Sequence, residues 1–324
     1  MEGFMSAELE QLLGQYAWHG QPRIIPGLSG MNNTTIFLED EQERSIIRIY
    51  NNHADQQKLM FEHQMLQALQ KQTLTIATPV PVINRMGSTV SKLQNGKLAA
   101  RYRYIEGERP SVANAKQLNS LAEATAKLSI ALSKVELSEV PAYSPYYQLA
   151  QNYLPLDEPT MLHLLGHEEI AQLEEQLLLI QQERGQLEEL EHQLSKLPHQ
   201  WIHGDINCSN ALTVQDNVIA ILDFEFVTRD LRAMELAVLL SELIKPNIDE
   251  VTAKLLSMQK AYVSIVALTD SELALLPELI KLRSVDVVMH FIERFMQGID
   301  PIGIVVAMIK NAAYTITFVN EQMK

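Results

Sequence analysis

The chain has 324 residues, of which 47% are hydrophobic and 20% are charged, so it is too apolar for intrinsic disorder and long enough for two domains or lobes. Its formal net charge of -14 argues against a general nucleic-acid-binding protein, which needs a basic face. The single cysteine, Cys208, excludes a disulfide framework and a cysteine-rich metal site.

The first hundred residues alternate short strand-like runs with helical ones. β-branched runs on either side of an acidic turn predict one hairpin, and Asn95-Gly96 between two further runs is a strong hairpin signal. Between the hairpins, apolar residues recur at helical spacing. The elements predicted here are, in chain order, helix 6–16, strands 34–39 and 45–50, helix 54–70, and strands 89–93 and 97–105. Together they predict a small antiparallel sheet with one helix packed on it.

After Gly107 the pattern becomes mainly helical, and nearly all of the excess negative charge lies in this part. The elements predicted here are helices 113–134, 167–195, 231–245, 248–264, 271–297 and 301–319, and two short strands, 211–214 and 218–222. We therefore predict an N-terminal lobe over residues 1–106 and a C-terminal lobe over residues 107–324.

No stretch of the sequence predicts export or a membrane span. The first residues lack the basic and apolar segments of a signal peptide, and apolar tracts such as 302–309 fall short of the roughly 20 residues that a spanning helix needs. We expect a cytoplasmic protein whose partners are small molecules and include neither a membrane nor nucleic acid.

The stretch that carries chemistry is WIHGDINCSN, residues 201–210, followed by AILDFE, residues 220–225. A predicted strand delivers His203 and Asp205, and Asn210 follows five residues later. A second predicted strand delivers Asp223, which a hairpin would bring back to the same place. Two carboxylates and an amide facing one point suit Mg²⁺, a hard cation that prefers oxygen ligands and also takes phosphate oxygens.

The HGDxxxxN motif followed by LDFE resembles the signature of the superfamily of aminoglycoside phosphotransferases, choline kinases and type II homoserine kinases. The order of the motifs covers residues 20 to at least 245. The resemblance implies an α+β, two-lobed, protein-kinase-like fold with a small antiparallel β N-lobe and a mainly helical C-lobe. It also implies a phosphotransferase that uses ATP and Mg²⁺ to phosphorylate a hydroxyl group of a small molecule.

The resemblance implies roles for the residues of this motif. Asp205 is the catalytic aspartate that accepts or orients the hydroxyl proton, and His203 braces its loop. Asn210 and Asp223 are ligands of Mg²⁺, and Glu225 matches a second acid of the choline-kinase pattern. Metal and positioning would supply most of the catalysis, because phosphoryl transfer needs charge neutralisation more than covalent help.

The N-terminal lobe is expected to hold the nucleotide. The loop 27–33 resembles the one that covers the phosphates, with Gly30 and Asn32 contributing to the cradle. Arg48 stands where relatives place a phosphate-binding lysine, and we expect it to pair with Glu62 on the following helix. The segment 101–106, with Tyr104 and Glu106, resembles the hinge strand that meets adenine.

The acceptor is expected to be an amino alcohol or amino acid of the homoserine, choline or ethanolamine type, or an aminoglycoside-like compound. Tyr143, Tyr146 and Tyr147 lie in a loop where an acceptor pocket could form. The alternatives are a nucleotide-binding regulator without activity, a protein Ser/Thr kinase, and a metal-dependent hydrolase that uses His203, Asp205 and Asp223. The oligomeric state cannot be inferred from the sequence.

Overall fold

The computed structural model describes residues 4–26, 33–51, 55–139, 141 and 143–323. Gly30 and Asn32, which we predicted to cradle phosphate, lie outside the described residues. The N-terminal part contains, in chain order, α1 (Phe4–Gly14), β1 (Arg23–Ile25), β2 (Asn33–Glu39), β3 (Arg44–Tyr50), α2 (Gln56–Leu69), β4 (Pro81–Val82), β5 (Ser91–Lys92) and β6 (Leu98–Arg103).

The strands of this part form one antiparallel sheet in the order β1-β2-β3-β6-β4, with β5 paired to β6. Ile36 of β2 and Ile47 of β3 face each other and pack with Leu12 of α1. Successive side chains of a strand point to opposite faces. Arg48 therefore points away from the α1 face, toward the C-terminal part of the chain.

The C-terminal part is mainly helical, as predicted. Its helices are α3 (Ala115–Leu132), α4 (Leu149–Asn152), α5 (Glu158–Leu165), α6 (Glu168–Ala171), α7 (Glu174–Glu189), α8 (Glu191–Leu194), α9 (Met234–Ser241), α10 (Val251–Val263), α11 (Asp270–Ala274), α12 (Leu276–Met296) and α13 (Ile302–Gln322). Its strands are β7 (His199–Ile202), β8 (Ala211–Val214), β9 (Asn217–Ile221) and β10 (Thr228–Leu231). They pair as two antiparallel ladders, β8 with β9 and β10 with β7.

The β8–β9 hairpin joins the two parts. Ala77 donates its backbone N–H to the carbonyl of Ile219 at 2.7 Å, and Glu108 exchanges backbone hydrogen bonds of 2.9 and 2.7 Å with Thr213. These bonds fix the chain before β4 and the chain after β6 against the hairpin. The hairpin in turn carries the segments before Asp223 and after Asn210, so the sheet is held over the predicted catalytic residues.

Helix α13 corrects one expectation. It is 21 residues long, with a mean hydropathy of 1.7 over its most apolar 18-residue window, and so meets the length and composition of a membrane span. The helix predicted over 301–319 is confirmed, but the expectation about membrane spans counted only the unbroken apolar tract 302–309 within it. Val305, Ile309, Ile316 and Val319 are buried in the core that α13 shares with α12. The helix is thus also a core helix of this chain.

Candidate active site

The loop between β7 and β8 places the HGD motif at the end of a buried strand. Gly204 adopts a left-handed φ of 78°, which lets the chain turn sharply between His203 and Asp205. Glu235 of α9, fully buried, accepts the backbone N–H groups of His203 at 2.7 Å and of Gly204 at 3.3 Å. Burial raises the pKa of Glu235 to about 7, although both hydrogen bonds oppose the shift. The carboxyl of Glu235 therefore fixes the backbone on the N-terminal side of Asp205.

His203 links the two strand ends that carry the site. Its Nε2 lies 2.9 Å from the carbonyl oxygen of Leu222, and its Nδ1 accepts the backbone N–H of Asp205 at 3.2 Å. This assignment requires the neutral imidazole with its proton on Nε2. Burial lowers the pKa of His203 to about 4, which agrees with a neutral ring. His203 thus holds the backbone beside Asp205 and beside Asp223 in a fixed relative position.

Asp205 and Asn210, which the sequence predicted to act together, are in direct contact. The Asn210 Nδ2 donates to Asp205 Oδ2 and to the Asp205 carbonyl oxygen, both at 2.9 Å. Asn207 caps the short turn between them by accepting the N–H groups of Ser209 and Asn210. Burial raises the pKa of Asp205 to about 6. The amide nitrogen of Asn210 is thus committed to Asp205, which leaves its side-chain oxygen as the atom for a cation.

Asp223 follows β9 in a left-handed conformation, with φ 68°, which is uncommon for a residue other than glycine. Arg48 donates from Nη1 and Nη2 to the two carboxylate oxygens of Asp223, at 2.8 and 2.6 Å. Burial raises the pKa of Asp223, but the guanidinium outweighs it and holds the pKa below its usual value. The pair joins the N-terminal sheet to the LDFE motif.

The expected pairing of Arg48 with Glu62 is wrong for this structure, since the guanidinium is turned to Asp223. Both residues offer a carboxylate, so the choice depends on position: the β8–β9 hairpin, which is hydrogen-bonded to the N-terminal part, brings Asp223 to the end of the Arg48 side chain. Glu62 lies on the buried face of α2, close enough to Arg48 for its charge to raise the pKa of the arginine. Burial raises the pKa of Glu62 itself to about 8.

Glu225 and Glu62 line one small cavity beside this pair, together with Tyr50, Lys58 and Tyr143. Burial and the neighbouring charge of Asp223 raise the pKa of Glu225 to about 7. The structure thus brings two of the predicted residues, one from each part of the chain, to the same cavity.

Tyr104 and Glu106, predicted at the adenine hinge, lie where the chain leaves β6. The backbone N–H of Tyr104 donates to the carbonyl of Arg44 at 3.1 Å, and its ring lies 6.2 Å from that of Phe37. The exposed carboxylate of Glu106 accepts a hydrogen bond from Arg44 at 2.7 Å. These two residues stand on the connection between the parts, at the edge of the site.

Sequence reasoning missed Arg283, which the structure places against the catalytic motif. Its Nη2 donates to Asp205 Oδ1 at 2.7 Å, and its Nη1 donates to the Tyr146 hydroxyl at 3.0 Å. The Tyr146 hydroxyl in turn donates to the carbonyl of Gly204 at 2.6 Å. Arg283 lies inside a long amphipathic helix, α12, without a motif around it. The sequence pointed to this place only through the tyrosine-rich loop, which contains Tyr146, a hydrogen-bond partner of Arg283.

The donor set fits a magnesium ion better than a transition metal. Carboxylate and amide oxygens are the ligands of a hard cation, and Mg²⁺ is commonly held by one or two carboxylates and by substrate phosphates. Asp223 is close enough to Asp205 for its charge to raise the latter's pKa. Within the described ranges, no group of three or more His, Cys, Asp or Glu side chains is arranged to hold a metal. A site in which substrate phosphates supply part of the ligands does not require three such side chains.

Comparisons with known proteins identify the family of this chain. Residues 23–262 match the model of the phosphotransferase enzyme family. A homoserine kinase of Beijerinckia indica subsp. indica is 24% identical over 267 residues, which cover 80% of this chain and 77% of the relative. A homoserine kinase of Rhizobium etli is 26% identical over 258 residues, which cover 77% of this chain and 74% of the relative.

The solved structures show the same fold. A microcompartment-associated aminopropanol kinase has a TM-score of 0.68 at 16% identity, with 97% of this chain and 96% of the other covered. An amicoumacin kinase, solved in complex with AMP-PNP, Ca²⁺ and Ami, has the same TM-score at 15% identity, with 95% of this chain and 93% of the other covered. The predicted two-lobed kinase-like fold and the predicted superfamily are confirmed. The chain belongs to the phosphotransferase enzyme family and is a small-molecule kinase that phosphorylates a hydroxyl group.

Proposed function

We propose that this chain transfers the γ-phosphate of ATP to the side-chain hydroxyl of a small amino acid or amino alcohol of the homoserine type, with Mg²⁺ as the metal. The observation that carries the proposal is the contact of Asp205 with Asn210 at the point where Arg48 meets Asp223 across the two parts of the chain. The curated relatives, which are homoserine kinases, support the choice of acceptor.

Asp205 is the proposed base. In the transfer, the acceptor hydroxyl oxygen forms a bond to the γ-phosphorus, the bond from that phosphorus to the β,γ-bridging oxygen breaks, and ADP leaves. Asp205 receives the hydroxyl proton or orients the hydroxyl for attack. Its two carboxylate oxygens are fixed by Asn210 and Arg283, so the direction in which it can receive a proton is fixed as well.

Asn210 and Asp223 would hold Mg²⁺, with Glu225 nearby. The ion supplies neutralisation of the phosphate charge that develops during transfer. Asp223 binds Arg48 in this structure, and each of its carboxylate oxygens keeps a further lone pair with which it could also hold the ion. The guanidinium has five N–H donors, of which Asp223 accepts two, so Arg48 would also have donors for the phosphates, which is the role proposed for it. The carboxylate of Glu62 lies near enough for its charge to act on Arg48.

The experiment is a measurement of ADP formation with ATP and Mg²⁺ across homoserine, choline, ethanolamine, 3-aminopropan-1-ol, an aminoglycoside and a generic protein substrate. The proposal expects turnover that depends on homoserine or a small amino alcohol. Turnover only with the protein would make the chain a protein kinase. Binding of Mg·ATP without turnover on any of these acceptors would refute the proposed acceptor class and leave an acceptor outside the panel or a nucleotide-binding regulator.

A further inference from the structure

Besides the hydrogen bond that positions Asp205, Arg283 has a donor that the proposed transfer of phosphate does not use. Its side chain is 13% exposed, and its contacts are with the C-terminal part of the chain: Asp205, Tyr146, and Asp286 at 3.6 Å. It holds Oδ1 of Asp205, while Asn210 of the metal-binding motif holds Oδ2. Arg283 therefore meets the catalytic carboxylate at the oxygen that the metal-binding motif leaves open.

The surroundings of Arg283 are otherwise acidic. The charges of Asp205, Asp286 and Glu242 all act on its guanidinium. An acceptor whose only charge is an ammonium group would be attracted by these acids. It would be repelled by the guanidinium of Arg283, which lies beside the catalytic carboxylate. An acceptor that also carries a carboxylate would be repelled by the acids unless a cation met it. Arg283 is the cation in contact with Asp205 in the described part of the chain.

The hydrogen bonds of Arg283 leave part of the guanidinium unused. The group has five N–H donors in a planar fork. Nη1 and Nη2 have partners, whereas Nε is buried without a hydrogen-bond partner. The Nε and Nη2 donors form one edge of the fork, of which Asp205 uses only Nη2. A carboxylate is the group that fills such an edge with two parallel hydrogen bonds.

We propose that Arg283 binds the carboxylate of the acceptor and thereby selects a hydroxy amino acid over an amino alcohol. The inference rests on the proposed function, since it names the acceptor class of the same site. In homoserine a short carbon chain separates the hydroxyl from the carboxylate, so one molecule can present its hydroxyl to Asp205 and its carboxylate to the adjacent guanidinium. Arg283 is then a specificity-determining residue of the acceptor site.

The test compares two acceptors that differ only in the carboxylate, L-homoserine and 3-aminopropan-1-ol, on the wild type and on Arg283→Gln. We expect the wild type to prefer homoserine in kcat/KM by roughly 10- to 100-fold, the range that hydrogen bonds between charged groups supply. In Arg283→Gln the preference should fall to about onefold, because kcat/KM for homoserine drops further than that for the amino alcohol.

Arg294→Gln is the matched control, because Arg294 lies on the same helix and its guanidinium is bound to Asp300. It should keep the wild-type preference. A wild type without preference, or an equal loss with both acceptors in Arg283→Gln, would overturn the inference while leaving the phosphotransfer intact. Should that variant not fold, Arg283→Lys, which keeps the charge and loses the fork, is measured instead, and an unchanged preference there overturns the inference. No turnover by the wild type with either compound refutes the proposed function first, and the inference with it.

Discussion

Replacing Gly204 with alanine tests how the catalytic loop is held. Gly204 has a φ of 78°, and a Cβ added there would lie 3.0 Å from the carbonyl oxygen of Phe226 and 3.4 Å from the Tyr146 hydroxyl. The left-handed conformation costs a non-glycine residue roughly 1–2 kcal/mol. The contact with a backbone oxygen, which cannot rotate away as a side chain would, adds about 1–2 kcal/mol. We therefore expect Gly204→Ala to lower the free energy of unfolding by about 2–4 kcal/mol.

Gly87→Ala is the matched control for this prediction. Gly87 has nearly the same φ, 80°, but no atom lies within 4 Å of its added Cβ. Both variants lose the same entropy from the unfolded chain, so that contribution cancels in the comparison. The measurement is the denaturant midpoint of each variant, with kcat determined beside it. Gly87→Ala should lose only about 1–2 kcal/mol, the cost of the left-handed conformation alone, and should keep its kcat. Gly204→Ala should lose more stability and should also have a lower kcat. Equal losses of stability in the two variants would refute the packing that we describe around Gly204.

Three further outcomes follow from single contacts. Arg48→Met should raise KM for ATP at least about tenfold, and Arg48→Lys should raise it less, because lysine keeps the charge. A KM for ATP in Arg48→Met equal to that of the wild type in steady-state kinetics would contradict a phosphate-binding role. Burial lowers the pKa of His63 to about 4, so the folded state binds fewer protons than the unfolded state below the ordinary pKa of 6.5. The free energy of unfolding, measured by denaturant titration, should then fall as the pH drops from about 6.5 toward 4. The fall should be smaller in His63→Gln. Asn114 caps α3 by accepting two backbone N–H groups, so Asn114→Ala should cost about 1 kcal/mol in the same titration.

Local patterns predicted the elements that carry the motif. The strands on either side of Gln215–Asn217 and the helix after Asp55 match the structure within one or two residues, because turn chemistry and apolar spacing act over a few neighbours. The range 167–195 was predicted as one helix, but the structure divides it into α6, α7 and α8. No glycine or proline stands at either break. The leucine spacing continues across them, so only the packing of the surrounding helices decides where the chain bends.

The contacts that give the site its electrostatics are of long range and were not predictable in this way. Arg48 could pair with Glu62 or Asp223, and both carboxylates lie within reach of its charge. Which one it binds depends on how the sheet sits over the β8–β9 hairpin. Arg283 reaches Asp205 from a helix near the end of the chain, and its helix has the ordinary amphipathic pattern of a core helix. A sequence pattern cannot show which charged residue of such a helix faces a distant loop.

The measurement that tests the central claim most directly is the rate of homoserine phosphorylation by the wild type and by Asp205→Asn, with ATP and Mg²⁺, beside the affinity of each for Mg·ATP. We expect acceptor-dependent ADP formation in the wild type. Removing a general base typically costs about 10²–10⁴-fold in rate, so kcat should fall by that factor in Asp205→Asn while nucleotide affinity changes little. A variant that phosphorylates the acceptor at the wild-type rate would contradict the assignment of Asp205 as the base on which this account depends.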